Sequence, residues 1–254
     1  MKASIVTACY NKEKFIKSSF SSLLAQTHDD WEWVVVDDRS SDNSWKMLKK
    51  FRRADKRVKL VKASSRQWCA GAYAIGVAAA SHPIICILDA DDVLLPTAIE
   101  QITRLYEKYP EVGYIYTQHD IWNSSLRTKM KRGVSSLPDP DKSFAQMAIK
   151  NRSHCFSHWR TYRNGIIAPE LLFPKGLQSC VDKYMGFVLE QTATGGFYNH
   201  VLYKYRWYSG GNITTVVNSN LRDTQRKRWI KMAHKFSRIR QKKNVHTHPV
   251  LDIE

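Results

Sequence analysis

The sequence predicts an α/β fold, a mainly parallel sheet flanked by helices, on three observations. Strand-like and helix-like patterns alternate over residues 1–117, the candidate strands are continuous apolar runs, and two of those runs end directly in carboxylates. Alternation of this kind marks βαβ units, and strands without polar alternation are buried on both faces.

The elements follow in order. Residues 4–7 read as a first strand, and 14–26 as a helix through the spacing of Phe15, Phe20, Leu23 and Leu24. Residues 33–36 form a second strand that stops at Asp37-Asp38, 44–53 a helix, 58–61 a third strand and 71–80 an Ala-rich helix. Residues 84–88 are the fourth strand, 96–109 a helix opened by Pro96, and 112–117 a further strand. Beyond this point the pattern loosens. Residues 135–142, with two prolines, read as a loop, 144–149 as a short helix and 182–191 as a helix. Residues 197–207 alternate aromatics as a strand does, whereas 159–167 fit no single pattern. The expected division is 1–117 and 118–217 as two halves of one domain, and 218–254 as a basic helical tail.

Lysines and arginines number 40 against 23 acidic residues, a net charge of +17. Such an excess favours polyanions or anionic lipid surfaces as partners and says nothing about fold. The five cysteines have no regular spacing, the N-terminus lacks the apolar stretch of a signal peptide, and no apolar run is long enough to span a bilayer. A cytoplasmic protein, soluble or peripherally bound to a membrane, is expected. In the tail, Trp229, Met232, Ala233, Phe236 and Ile239 recur at helical spacing among many cations. That stripe either docks on the catalytic domain, the preferred reading, or lies in an anionic membrane interface.

The most informative join is Ile84-Ile85-Cys86-Ile87-Leu88 running into Asp89-Ala90-Asp91-Asp92. Carboxylates at the end of a buried strand need a cation, water or hydrogen-bond donors, because an unpaired buried charge costs several kcal/mol or more. One Asp is accounted for as a cap for the helix that follows. The set as a whole suits a hard divalent cation, Mg²⁺ or Mn²⁺, holding phosphate oxygens. Asp37-Asp38 should open on the same sheet edge, as should Thr7-Ala8-Cys9-Tyr10-Asn11 at the end of the first strand. There Tyr10 can stack on a base, Asp38 can accept from a pyrimidine N3–H, and Asp91 can hold the metal on a diphosphate.

Thr7-Ala8-Cys9-Tyr10-Asn11-Lys12, Ser22-Leu23-Leu24-Ala25-Gln26-Thr27, Val34-Val35-Val36-Asp37-Asp38-Arg39-Ser40-Ser41-Asp42 and Leu88-Asp89-Ala90-Asp91-Asp92-Val93-Leu94-Leu95-Pro96 together resemble the ordered motifs of glycosyltransferase family 2. The resemblance implies a GT-A (Rossmann-like) fold, a nucleotide-sugar donor with a UDP-sugar expected, a Mn²⁺ or Mg²⁺ cofactor and inversion at the anomeric carbon. It implies a nucleotide-binding set of Thr7, Ala8, Tyr10, Asp38, Asp89 and Ala90, with Asp91 and Asp89 at the metal; Arg66, the nearest cation, is a further candidate for the diphosphate or base, or else a solvated loop arginine. Extended more weakly into the second half, it places His158, Trp159 and Arg160 on the acceptor side and makes Asp182 the general base. A glycan, glycoprotein or lipid-linked acceptor is implied. Where members often show Gly-x-x-x-Ala-Arg-Asn-x-Gly, this chain has Trp68-Cys69-Ala70-Gly71-Ala72-Tyr73-Ala74-Ile75-Gly76. Val181 also stands where many members carry an acid before the base.

A sugar hydroxyl is a poor nucleophile until a positioned carboxylate takes its proton, which is why such a site needs Asp182. Helix capping or an ion pair with Lys183 is the alternative for that residue. Trp159 and Trp207 are candidates for stacking on sugar faces, and His200 for the metal. A zinc site at His154, Cys155 and His158 lacks a second ligand pair. Two other functions carry less weight. A sugar nucleotidyltransferase needs a glycine-rich loop after the first strand, and Ala8-Cys9-Tyr10-Asn11-Lys12-Glu13 has no glycine. A nucleic-acid-binding module would use the positive charge, but that charge concentrates in the tail and no recognition motif accompanies it.

Overall fold

A computed structural model of the chain describes residues 1–133, 135, 136, 144, 145, 147, 155–178, 180–208, 231, 234, 235 and 249–253. One sheet, in the order β10-β9-β6-β8-β4-β1-β2-β3, organises them. Its strands are β1 (Ala3–Cys9), β2 (Trp31–Asp37), β3 (Val58–Lys62), β4 (Ile84–Ile87), β6 (Val112–Trp122), β8 (Arg160–Arg163), β9 (Thr194–Arg206) and β10 (Val250–Leu251). Two short strands lie off this path: β5 (Val93–Leu94) pairs with β9, and β7 (Lys129–Arg132) with β6.

β4, β1, β2 and β3 run parallel, each pair in unbroken register from Ala3↔Ile84 through Ala3↔Trp31 to Trp33↔Val58. β8 is antiparallel to both β4 and β6, while β6, β9 and β10 are parallel to one another. The expected mainly parallel α/β sheet is therefore observed. The stretch that fits no single pattern in sequence, 159–167, contributes β8, wedged between β4 and the much longer β6.

Helices α1 (Ile16–Leu24), α2 (Ser44–Ala54) and α4 (Ala98–Lys108) accompany one face; α3 (Trp68–Ala78), α5 (Pro169–Leu172) and α6 (Val181–Thr192) accompany the other. Because successive side chains of a strand point to opposite faces, Ile5, Trp33, Val35 and Cys86 pack with Phe20, Leu23, Leu48 and Ile102. Val6, Val34, Ile85 and Ile87 pack with Tyr73, Val77, Met185 and Leu189 instead. These two cores explain why the strands lack polar alternation.

Within the stretch expected as a helical tail, Val250 and Leu251 instead return to the sheet as β10, with Leu251 buried and its side chain packed over Gly196. Phe144, Ala145 and Met147 are helical, as expected of 144–149. The rest of that helix, most of the loop at 135–142, His154 and nearly all of the expected basic helix beyond 218 lie outside the described residues. No helix among the described residues is long and apolar enough to cross a membrane.

Candidate active site

β1 sits between β2 and β4, so chain order reverses direction across the sheet at its C-terminal end. In open α/β sheets the crevice outside such a reversal is where ligands bind. The loops after β1 and β2 are tied across it. Asn11 takes a left-handed backbone (φ 51°), which asparagine tolerates well. Its Oδ1 accepts from the Ser41 N–H at 2.8 Å, and its own N–H donates to Ser40 Oγ at 3.1 Å.

On the β2 side, Asp38 is buried and its carboxylate is doubly held. Oδ1 accepts from the Gln67 N–H at 2.6 Å, and Oδ2 pairs with the Arg66 guanidinium. That guanidinium lies 3.4 Å from the centroid of the Tyr10 ring and 4.7 Å from that of Trp68. Tyr10 and Trp68 are each about two-fifths exposed, at 39% and 43%. Two aromatic rings, a planar cation and a buried acceptor thus share one end of the crevice.

On the β4 side, the three carboxylates have separate partners. Asp89 accepts from Arg160 Nη2 at 3.0 Å and from the Tyr73 hydroxyl, with His158 Nε2 at 3.4 Å. Burial alone would raise its pKa, but Arg160, His158 and Tyr73 hold the carboxyl below the usual range. Asp91 Oδ2 meets Lys12 Nζ at 2.6 Å and the Tyr208 hydroxyl at 2.7 Å. Burial works to discharge Lys12, yet the Asp91 carboxylate keeps the ammonium above its ordinary value. Asp92 accepts from the Tyr203 hydroxyl and the Arg206 N–H, both at 2.7 Å. Burial, helped by Asp91 and Asp89, pushes the Asp92 carboxyl well above the usual range. Asp92 thus braces the turn against β9. Arg206 reinforces it by donating to the Asp91 carbonyl at 2.6 Å.

The second half closes the crevice. Asp182 lies in the first turn of α6, and its charge opposes the deprotonation of His158 and Arg160. His158 packs its ring against His119, Tyr203 and Tyr205, with centroids 4.9–5.1 Å apart. Burial and the neighbouring Arg160 push its pKa down, against the pull of Asp89 and Asp182. Acid oxygens of Asp89 and Asp92 and a His158 ring nitrogen all lie within 4.8 Å of one another.

The structure therefore brings Tyr10, Asp38, Arg66, Asp89, Asp91, His158, Arg160 and Asp182 to one crevice. The remaining expected residues take other places. Trp159 is fully buried in the core beneath the sheet, so its indole offers no face to an acceptor. Thr7 is buried too, and its hydroxyl accepts from Trp33 Nε1 at 2.8 Å. Ala90 is buried and its carbonyl accepts from Ser19 Oγ at 3.0 Å. β-strand alternation and the tight acidic turn point these side chains into packing rather than at a ligand. Ala8 is partly buried, against the small cluster of Val36, Ala63 and Ala72. His200 is exposed and stacks on Tyr198 instead of joining the acidic cluster. Asp91, the expected ligand, stands outside the Asp89–Asp92–His158 cluster and pairs with Lys12. Lys12, Tyr73, Tyr203, Arg206 and Tyr208 were not expected at the site. The period-two spacing of Tyr203 and Tyr205 was the available signal for the first of the β9 group.

The family model described as Glycosyl transferase family 2 matches residues 4–168. An Escherichia coli protein named UDP-Glc:alpha-D-GlcNAc-diphosphoundecaprenol beta-1,3-glucosyltransferase WfgD is 34% identical over 123 residues, 48% of this chain and 47% of that protein. An uncharacterized glycosyltransferase, alr2836, of Nostoc sp. is 35% identical over 117 residues, 46% of this chain and 36% of that protein. The matches thus span less than half the length of these relatives. Among solved structures, S. aureus TarS 1-349 in complex with UDP-GlcNAc has a TM-score of 0.71 at 16% identity, covering 92% of this chain and 66% of that one. The mannosyltransferase PcManGT from Pyrobaculum calidifontis, in complex with GDP-Man and Mn2+, gives 0.57 at 15% identity, covering 94% and 64%. These two likenesses show the fold, the GT-A type.

Proposed function

The chain belongs to glycosyl transferase family 2, and we propose that it transfers a sugar, with inversion, from a nucleoside-diphosphate donor to an acceptor hydroxyl. A UDP-sugar is the donor of choice. The observation that carries the reading is the convergence of Tyr10 and Asp38 at the end of β2, the Asp89–Asp92 turn at the end of β4, and Asp182 from the second half on one crevice. The UDP-Glc in the WfgD name and the UDP-GlcNAc bound to the structurally similar TarS support this nucleotide, while PcManGT, of similar fold, was solved with GDP-Man.

In this reading the base lies against Tyr10, and Asp38 accepts its N3–H once Arg66 releases that carboxylate. Asp182 removes the proton of the acceptor hydroxyl as its oxygen attacks the anomeric carbon. The bond from that carbon to the diphosphate oxygen breaks, and its electron pair leaves with the diphosphate. The donor set fits a hard divalent cation. Asp91 offers carboxylate oxygen beside an ammonium already drawn to it, and Asp89 lies two residues away, held in its ionised form by Arg160. Bound there, Mn²⁺ or Mg²⁺ would neutralise charge developing on the leaving diphosphate. Lys12, drawn to the same carboxylate, adds a second positive charge at that edge. The acceptor is a glycan, glycoprotein or lipid-linked sugar, the last being what the WfgD name gives for that relative.

The test is a screen of nucleotide sugars with Mn²⁺ for slow donor hydrolysis, run beside thermal shifts with UDP. Stabilisation by UDP only when metal is present is the expected outcome. Binding of DNA or RNA with steep salt dependence, and no response to nucleotides, would favour the nucleic-acid reading instead.

A further inference from the structure

We propose that Trp68 is a nucleobase-stacking residue which, with Tyr10, gives the donor crevice two aromatic rings at its base end. The inference rests on the nucleotide-donor reading above and adds to it a residue and a contact. Three observations carry it.

The first is backbone conformation. Trp68 opens α3 at φ 62°, in the left-handed region where Cβ crowds the following carbonyl and glycine is the natural occupant. This chain therefore has a large ring where the backbone favours none. Persistent strain of that kind marks positions held for a purpose other than local stability. Packing does not supply that purpose, because the Trp68 side chain stays 43% exposed.

The second is what the ring meets. Its centroid is 4.7 Å from the Arg66 guanidinium, which is also 3.4 Å from the Tyr10 ring and paired with Asp38. A guanidinium is flat, delocalised, and donates N–H bonds along its edge while offering its faces to aromatic rings. A pyrimidine base makes the same demands: aromatic contact on its faces and an acceptor for one edge N–H. The third is the acceptor itself. Asp38 is buried and fixed by the Gln67 N–H at 2.6 Å, so its second oxygen is aimed before any ligand arrives. The pocket therefore accommodates a planar donor in the structure as it stands, and exchange of Arg66 for the base uses the same surfaces.

Trp68→Gly, Trp68→Asn and Trp68→Tyr test this by calorimetric titration with UDP and Mn²⁺, and with inorganic pyrophosphate, which has no base. Base–aromatic stacking predicts a loss of roughly tenfold in UDP affinity for W68G and W68N, with pyrophosphate affinity unchanged. W68Y, which restores a ring, should bind UDP within about threefold of wild type. W68N keeps the comparison sound if W68G folds poorly, since asparagine tolerates the left-handed backbone. Wild-type UDP affinity in W68G or W68N, or an equal loss of UDP and pyrophosphate, overturns the assignment. A wild-type chain that binds pyrophosphate but no nucleoside diphosphate more tightly overturns the donor reading and the Trp68 contact with it.

Discussion

Arg160 on β8 donates from Nη2 to Asp89 Oδ2 at 3.0 Å, and this ion pair fastens the second half of the chain to the acidic turn after β4. The Arg160 side chain is only 5% exposed, against 27% for Asp89. Removing one partner of such a pair leaves the other charge poorly solvated and costs about 3–5 kcal/mol. Arg160→Met should therefore lose about that much unfolding free energy and unfold at lower denaturant. Chemical denaturation of R160M beside Asp89→Asn checks it, and the double variant should fall short of the sum, because the two changes remove the same bond.

The antiparallel β8 that carries Arg160 was not legible as a strand in the sequence. It is only four residues long and paired antiparallel on both sides, to β4 and β6, so tertiary pairing rather than its own pattern decides its conformation. The parallel strands β1 to β4 were legible because burial on both faces forces continuous apolar runs. Site residues divide the same way. Asp38, Asp89 and Asp91 stand out in sequence because a carboxylate ending a buried strand contradicts its surroundings. Lys12 and Arg206 do not, since a basic residue near a loop usually means only solvation. Trp159 misled for a related reason, because an aromatic beside His158 and Arg160 reads equally well as a sugar platform or as core.

Asp91 is the residue on which metal dependence should turn. Asp91→Asn keeps the shape of the side chain but removes the charge that now holds Lys12 at 2.6 Å. With ligand at about 100 times its Kd, binding to the native state adds about 2.7 kcal/mol. Wild type should therefore gain about 5–10 °C in Tm with UDP and Mn²⁺ together, and little with UDP plus EDTA. D91N should show no metal-dependent gain. An equal shift in D91N would move the cation to the Asp89–Asp92–His158 cluster.

Asp182 separates binding from chemistry. It sits in the first turn of α6, on a different element from every group at the base end of the crevice. Asp182→Asn should leave the Kd for UDP within about twofold and lower kcat by about 10²–10⁴-fold, the usual worth of a positioned base. Single-turnover transfer measured beside UDP titration checks both halves of that statement. Transfer at the wild-type rate would leave Asp182 only the role of an acid in the first turn of α6, where it favours the helix dipole.

His158 predicts a pH dependence whose sign follows from its surroundings. Burial, with Arg160 beside it, lowers its pKa from 6.5 in spite of Asp89 and Asp182, so the folded protein holds this imidazole neutral where the unfolded chain protonates it. Below pH 6.5 the unfolded state therefore binds more protons at this position, and stability falls as pH drops toward the folded-state value. Above 6.5 the contribution is constant. The Nε2 contact with Asp89 at 3.4 Å is too long to keep the ring charged against the loss of water. Unfolding free energies at pH 7.5 and 5.5, measured in EDTA so that no bound cation enters, should drop more for wild type than for His158→Gln. A larger drop in H158Q would mean that the ring is protonated in the fold, with Asp89 rather than burial governing it.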